Sequence, residues 1–372
     1  MRSKEPFFAS IQQFYEGIAI GHIIGSFTVP AFNLRTLTFD AAKALFRAAK
    51  KAGSGAFIIE LARTEMEYTN QPPKEYAKAI LKAAKKEKWE GPIFLQADHF
   101  ALKNDSAKDI KELEQLIKQS IKSDFYNIDI DCSVLGKEQN IGKTIHFLDF
   151  IRKNQPKNIA ISLGAEIDRI GGDDTTQEEL SSFLSKIKIE SGVRKIRGII
   201  KVACQVGTFH GGNVLPNGEL EDIKIDFAKL KQLSEIAKSY GMAGIVQHGA
   251  STLRDENFQE FPKAGILEIH LSTGLQNIVL DSLAFPADLK DKMDKWIFDN
   301  FKTERQKYQT DNQFLYKLRK RALGKFKREI AAIPQKNIDK ICEELEARFD
   351  FFFKSCNVGS TKALVQNIYN LK

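Results

Sequence analysis

Eight short apolar runs recur along this chain with longer amphipathic stretches between most of them, and that rhythm constrains its fold more than any other feature. The runs fall at 27–33, 55–61, 92–97, 126–131, 159–166, 198–205, 243–248 and 265–271. They are rich in β-branched and aromatic residues and apolar nearly throughout, as strands are when both faces of a parallel sheet are covered. The intervening stretches, 37–51, 74–88, 107–122, 144–153, 177–189, 227–240 and 273–283, carry apolar residues at helical spacing; Phe39, Ala42, Leu45, Phe46 and Ala49 are one such set. Eight βα units within roughly 250 residues predict an α/β fold, a closed (β/α)8 TIM barrel. The rival, an open doubly wound sheet, needs a glycine-rich first turn for a nucleotide. Phe32-Asn33-Leu34-Arg35-Thr36 contains no glycine.

Residues 1–286 therefore read as the barrel domain, with a short helix at about 7–21 closing its bottom. From 287 to 372 the pattern is helical only, punctuated by Pro286 and Pro334, and reads as a basic helical extension packed on the barrel. Its aromatic run at 349–353 needs a surface to cover. No apolar run approaches the roughly 20 residues of a membrane span, and the first residues have no apolar core of a secretory signal. A cytoplasmic protein with no membrane partner is expected. Cys132, Cys204, Cys342 and Cys356 are widely spaced with no CxxC pair, so they read as reduced, mostly buried thiols. The net charge of +8 is concentrated: residues 302–328 hold ten Lys/Arg against Glu304 and Asp311. Such a patch suits nucleic acid, an anionic substrate or solvent. It lacks a recognisable nucleic-acid-binding fold, and binding by charge alone weakens steeply with salt, so no nucleic acid is expected as a partner.

The chemistry gathers at the carboxyl ends of the strands, where a parallel barrel assembles its active site. In chain order these ends read Asp98-His99, Asp129-Ile130-Asp131, Glu166 followed by Asp173-Asp174, His210-Gly211-Gly212, His248-Gly249-Ala250-Ser251 and His270-Leu271-Ser272-Thr273. Three histidines with nearby carboxylates hold Zn²⁺ and leave a coordination position open for substrate. Gly211 and Gly249 let backbone amides approach an anion, and Ser251, Ser272 and Thr273 add donors, a nest that suits phosphate. Lys201 lies early in its strand, at the barrel bottom or on its flank, and no other lysine stands at a strand end as an imine former. Metal chemistry is favoured over a Schiff base.

With these motifs in this order, the chain resembles the class II, metal-dependent fructose-bisphosphate aldolase family over roughly residues 20 to 285. Ala31-Phe32-Asn33 is similar to that family's first-strand signature, and Asn33 is expected to meet substrate. Gln96-Ala97-Asp98-His99 matches the strand-3 motif, which implies that Asp98 is the acid/base and His99 a zinc ligand. Gly207-Thr208-Phe209-His210-Gly211 and His248-Gly249-Ala250-Ser251 resemble the motifs of the other two zinc ligands, His210 and His248, with their phosphate-binding glycine and serine. Ile130-Asp131-Cys132-Ser133 and Ala165-Glu166 resemble motifs whose carboxylates, Asp131 and Glu166, hold an alternative metal position or orient ligands. Gly171-Gly172-Asp173-Asp174 resembles the acidic loop after strand 5, from which Asp174, or its neighbour Asp173, exchanges the second proton.

Three positions depart from the family pattern. The strand-8 motif Asn-X-Asp-Thr reads His270-Leu271-Ser272-Thr273, Ala62 stands where relatives often have serine, and no lysine follows His210. The resemblance implies metal-dependent, reversible aldol cleavage of a ketose bisphosphate, in the first instance fructose 1,6-bisphosphate to dihydroxyacetone phosphate and glyceraldehyde 3-phosphate. The cofactor is Zn²⁺ or another divalent ion such as Co²⁺ or Mn²⁺, in a homodimer or higher oligomer. The altered strand 8 leaves tagatose or sedoheptulose bisphosphate as alternatives, and a non-catalytic, aldolase-like regulatory subunit as another class. His270, Ser272 and Thr273 are expected to contact substrate, and Arg319 and Arg321 of the basic extension to hold the phosphate far from the metal through bidentate hydrogen bonds.

Overall fold

The computed structural model describes residues 5–169, 171–208 and 211–369. Eight parallel strands form the barrel: Val29–Asn33 (β1), Ile58–Ala62 (β2), Pro92–Ala101 (β3), Asn127–Asp131 (β4), Ser162–Glu166 (β5), Lys201–Ala203 (β6), Gly244–Gln247 (β7) and Glu268–Leu271 (β8). Each pairs with the next in chain order, and β8 returns to β1 with Ala31 opposite His270. The ring is closed. Several strands begin two or three residues later than the apolar pattern suggests, because burial continues below the ladder: Ile161 and Ile266 are fully buried ahead of β5 and β8.

The helices between the strands follow the periodicity closely, for instance Thr38–Ala52, Ala107–Ile121 and Phe227–Ser239. An additional one-and-a-half-turn helix, Arg63–Tyr68, follows β2 directly. At the bottom, the segment expected to be helical from residue 7 begins instead as a two-residue strand, Phe7–Phe8, paired with the start of β3. The helix proper is Gln12–Ala19. Tyr15 on this helix reaches up into the barrel and donates its hydroxyl to Glu268 of β8.

Beyond residue 287 the chain is helical, and its longest helix, Gln335–Ser355, lies against Thr38–Ala52 and Thr273–Asp281. It fills the outer ring between the helices that follow β8 and β1. The aromatic run does the covering: Phe32, on the outer face of β1, meets Phe349 and Phe353 at ring-centroid distances of 5.1 and 5.5 Å, and Phe57 meets Phe353 at 5.5 Å. All four cysteines are buried and none is in a disulfide. No helix among the described residues is long and apolar enough to cross a membrane.

Lys201 departs from expectation. Its side chain is completely buried and points into the barrel, where Nζ lies 2.9 Å from Asp129 Oδ2 and 2.7 Å from Gln96 Oε1, with Glu268 alongside. Its place early in β6 put it low in the barrel, but strand phase turned it inward. Gly164 on β5 makes room for this layer: a Cβ there would stand 2.3 Å from Asp129 Oδ1 and 3.0 Å from Lys201 Cε.

Candidate metal centre and the cleft above it

Adjacent residues in a regular strand point to opposite faces, so Asp98 and His99 need a local irregularity to serve one site. β3 supplies it. Its register against β4 shifts between Ala97 and Phe100, and His99 adopts φ +42°, left-handed backbone that is uncommon for a residue with a side chain. Asp98 reaches the side chain of β8's His270, and His99 reaches those of β4 and β5. Asp129 and Asp131 share a face by simple alternation. Asp129 belongs to the lower layer with Lys201, and Asp131 lies 3.5 Å from His99 Nδ1.

The upper layer brings together Asp98, His99, Glu166 and His248, whose potential ligand atoms all lie within 4.8 Å of one another. His99 Nδ1 contacts Glu166 Oε1, His248 Nε2 is 4.0 Å from the same oxygen, and the two imidazole rings are 4.2 Å apart. Asp131 stands one step outside, accepting the Ser133 amide at 2.9 Å while it faces His99. His210, the third expected ligand, lies outside the described residues. Burial, reinforced by Asp131, pushes the Glu166 carboxyl up to about 8. Burial alone would lower His99, but Glu166 and Asp98 hold it well above the usual histidine value. Two imidazoles and two carboxylates converging in a buried space form a donor set suited to Zn²⁺ or Mn²⁺, so the residues present fit a divalent ion.

A cleft of about 1200 Å³ opens above this layer, with His99, Asp131, Gly211 and Thr273 in its wall. Gly211 (φ +79°) and Thr273 are neighbours: a Cβ on the glycine would be 3.4 Å from Thr273 Oγ1. Ser251 Oγ accepts the Gly274 amide at 3.1 Å, tying the turn after β7 to the N-terminus of helix Thr273–Asp281. Gly249 (φ +70°) begins that turn, and Ser272 precedes the helix without a side-chain cap bond. A glycine, hydroxyls and a helix N-terminus thus lie together, as phosphate binding requires.

Other expected residues lie elsewhere. Asn33 is buried and donates to Glu65, which also accepts from Arg35 Nε at 2.8 Å and the Ala62 amide at 2.8 Å. His270 is enclosed in the barrel and does not line the cleft; Nδ1 is 3.0 Å from Asp98 Oδ1, and Nε2 is 2.7 Å from Glu268 Oε1. Asp174 accepts the Gly207 amide at 2.7 Å and pairs with Lys229 at 3.2 Å, so it braces the loop after β6 and is not part of the cleft wall; Asp173 is exposed. Arg319 and Arg321 are already occupied. Arg319 pairs with Asp281 at 2.8 Å and lies over Tyr316, and Arg321 pairs with Glu304 at 2.7 Å over Phe301. The basic extension does reach the cleft, but through Lys307, Lys317 and Lys320, which join Arg35 in its wall. Burial, with the Arg35 guanidinium nearby, pushes the Lys320 ammonium down.

Glu60, Glu268 and Gln96 were missed as members of the interior. Their signal was present: each is a polar residue inside an otherwise apolar strand, and Glu268 shares its strand phase with His270. Lys317 and Lys320 had no such signal, since helix Asp311–Leu318 and the turn after it offer several lysines and arginines of equal prospect.

A family model described as fructose-bisphosphate aldolase class-II matches residues 24–342. Among solved structures, the chain is similar to the fructose-bisphosphate aldolase of Campylobacter jejuni, with 15% identity over 96% of this chain and 97% of that one and a TM-score of 0.60. It is similar to the YdjI aldolase of Escherichia coli K12 (17% identity, 89% and 99% covered, TM-score 0.51). It is also similar to the fructuronate-tagaturonate epimerase UxaE of Cohnella laeviribosi (12% identity, 90% and 82% covered, TM-score 0.64). At these identities the likeness to solved structures is one of fold.

Proposed function

The chain belongs to the class II fructose-bisphosphate aldolase family, and from that premise we propose that it cleaves and forms a carbon–carbon bond in a ketose bisphosphate, with fructose 1,6-bisphosphate as the first substrate. The observation that carries the reading is the convergence of Asp98, His99, Glu166 and His248 within 4.8 Å at the mouth of a closed barrel. His99, His248 and Glu166 would hold the divalent ion together with His210, and Asp131 would orient His99. A bound divalent ion acts as a Lewis acid on the ketone and its neighbouring hydroxyl, which absorbs the charge that develops as the bond breaks.

The chain's own groups do the rest. Asp98 takes the hydroxyl proton in cleavage and returns it in condensation. Burial alone would raise its carboxyl, but His99 and His270 hold it well below the usual carboxylate range, so it is ionised and ready to accept. Gly211, Ser251 and Thr273 receive the phosphate near the metal layer. The far phosphate meets Lys320 and Lys317, with Arg35 behind them, in place of Arg319 and Arg321. The carbanion carbon left by cleavage needs a proton, and we assign its delivery to Asp174, once that carboxylate releases the Gly207 amide and Lys229. We further propose a homodimer or larger assembly, which light scattering measures directly.

His270 replaces the family's strand-8 asparagine, and its ring is taken up by Asp98 and Glu268. One substrate contact of the family is thereby altered, so the test compares ketoses. Triose phosphate release is followed in a coupled assay with fructose, tagatose and sedoheptulose bisphosphates. Release from at least one of them, with that from fructose 1,6-bisphosphate expected, supports the reading. No release from any, with metal bound, refutes it and favours the regulatory subunit.

A further inference from the structure

Below the metal layer, the barrel interior contains more carboxylates than its cations match. Glu60 of β2, Asp98 of β3, Asp129 of β4 and Glu268 of β8 are all buried, and the only lysine among them, of the described residues, is Lys201. Buried charges persist when they are paired or when they coordinate a metal. Lys201 settles one half of this layer: its ammonium sits between Asp129 and Glu268 and donates to Gln96 Oε1 as a third partner. That position is filled.

The other half is different. Glu60, Asp98 and His270 bring ligand atoms within 4.8 Å of one another. His270 Nδ1 is 3.0 Å from Asp98 Oδ1 and 3.3 Å from Glu60 Oε2, while Glu60 Oε1, also buried, has no hydrogen-bond partner. Two carboxylates therefore share one imidazole here and one carboxylate oxygen is left over, although buried polar atoms are as a rule satisfied in native interiors. The remaining contacts hold the group in place. His270 Nε2 faces Glu268 at 2.7 Å, and Glu268 is itself held by Lys201, Gln96 and Tyr15. A histidine whose second nitrogen is fixed by a carboxylate is the usual arrangement of a metal-ligating imidazole.

We propose that Glu60, Asp98 and His270 form a second divalent-cation site, beneath the one at His99, Glu166 and His248. Two carboxylates and one imidazole suit Mn²⁺ or Zn²⁺. Asp98 turns Oδ1 to this site and keeps Oδ2 for the substrate hydroxyl. The lower cation ties β2, β3 and β8 together and fixes the carboxylate on which proton transfer depends. His270, which does not line the cleft, gains a role that its position in β8 explains.

The test counts metal and needs no substrate. Chelator-stripped protein is saturated with Mn²⁺ or Zn²⁺, freed of excess and analysed for metal per chain, with thermal unfolding as the control for folding. Two equivalents are expected in the unaltered protein, and one in both Glu60→Gln and His270→Asn. One equivalent in the unaltered protein overturns the proposal and places a proton on Glu60; so do variants that hold as much metal as the unaltered chain. Should a variant fail to fold, anomalous scattering from Mn²⁺-loaded crystals decides, by a peak among Glu60, Asp98 and His270 or by its absence. Failure to cleave any ketose bisphosphate leaves this count untouched, so the two readings stand or fall separately.

Discussion

At the scale of single residues, the account separates holding the metal from moving the proton. Asp98→Asn should lower cleavage by about 10²–10⁴-fold, the usual contribution of a positioned acid/base, while metal remains at His99, Glu166 and His248. His248→Ala should lose that metal. Metal analysis of the purified variants checks this, and equal loss in both would make Asp98 chiefly a ligand. The same separation applies to the substrate's far end. Lys320→Ala removes a charge-assisted hydrogen bond of about 1.5–3 kcal/mol and should raise KM for the bisphosphate roughly tenfold or more. Arg321→Ala breaks only the pair with Glu304 and should leave KM unchanged. Steady-state kinetics with both variants distinguishes them; the reverse pattern would restore the arginine to the site. The histidine and aspartate motifs were legible because strand phase and order mark them. The engagement of Asp174 and the two arginines by other charges was not legible, because sequence does not show which charges neutralise one another. Lys229, Asp281 and Glu304 had already claimed them.

At the scale of elements, the strands and helices were legible from periodicity, and the strand ends were less so, since burial extends beyond hydrogen bonding. The bulge in β3 was invisible, because nothing in Ala97-Asp98-His99-Phe100 announces a positive φ at a histidine. Gly164 carries a prediction here. Its substitution by alanine drives a methyl group against Asp129 and Lys201, and the resulting overpacking should cost about 1–3 kcal/mol in denaturant unfolding; an unchanged midpoint would mean that the ion layer yields. A second prediction concerns helix Gln177–Val193, whose capping box joins Thr176 to Glu179. The Lys137 ammonium and the Thr176 amide hold the Glu179 carboxyl down to about 2. A depressed acid stabilises the fold above its unfolded pKa and loses that contribution as pH falls through the folded value. The stability difference between the unaltered chain and Glu179→Gln should therefore be full above about pH 4.5 and shrink toward pH 2. Unfolding measured across that range shows it, and a difference that stays constant would assign the effect to the cap's hydrogen bond alone.

At the scale of the whole molecule, the helical segment after residue 287 is structurally continuous with the barrel: its longest helix stands in the outer ring, and its lysines form part of the cleft wall. Phe353, fully buried against Phe32 and Phe57, should cost about 3–5 kcal/mol when cut to alanine. Barrel and extension should still unfold in one transition, and two separated transitions would show that they are independent. The central claim is that the converging histidines and carboxylates hold a metal which carries the chemistry. It is tested most directly by measuring triose phosphate release from fructose 1,6-bisphosphate after exhaustive chelation and again after Zn²⁺, Co²⁺ or Mn²⁺ is restored. The account predicts that chelation abolishes release and that one of these ions restores it. Undiminished release from the chelated protein, with borohydride trapping a covalent adduct, would contradict it.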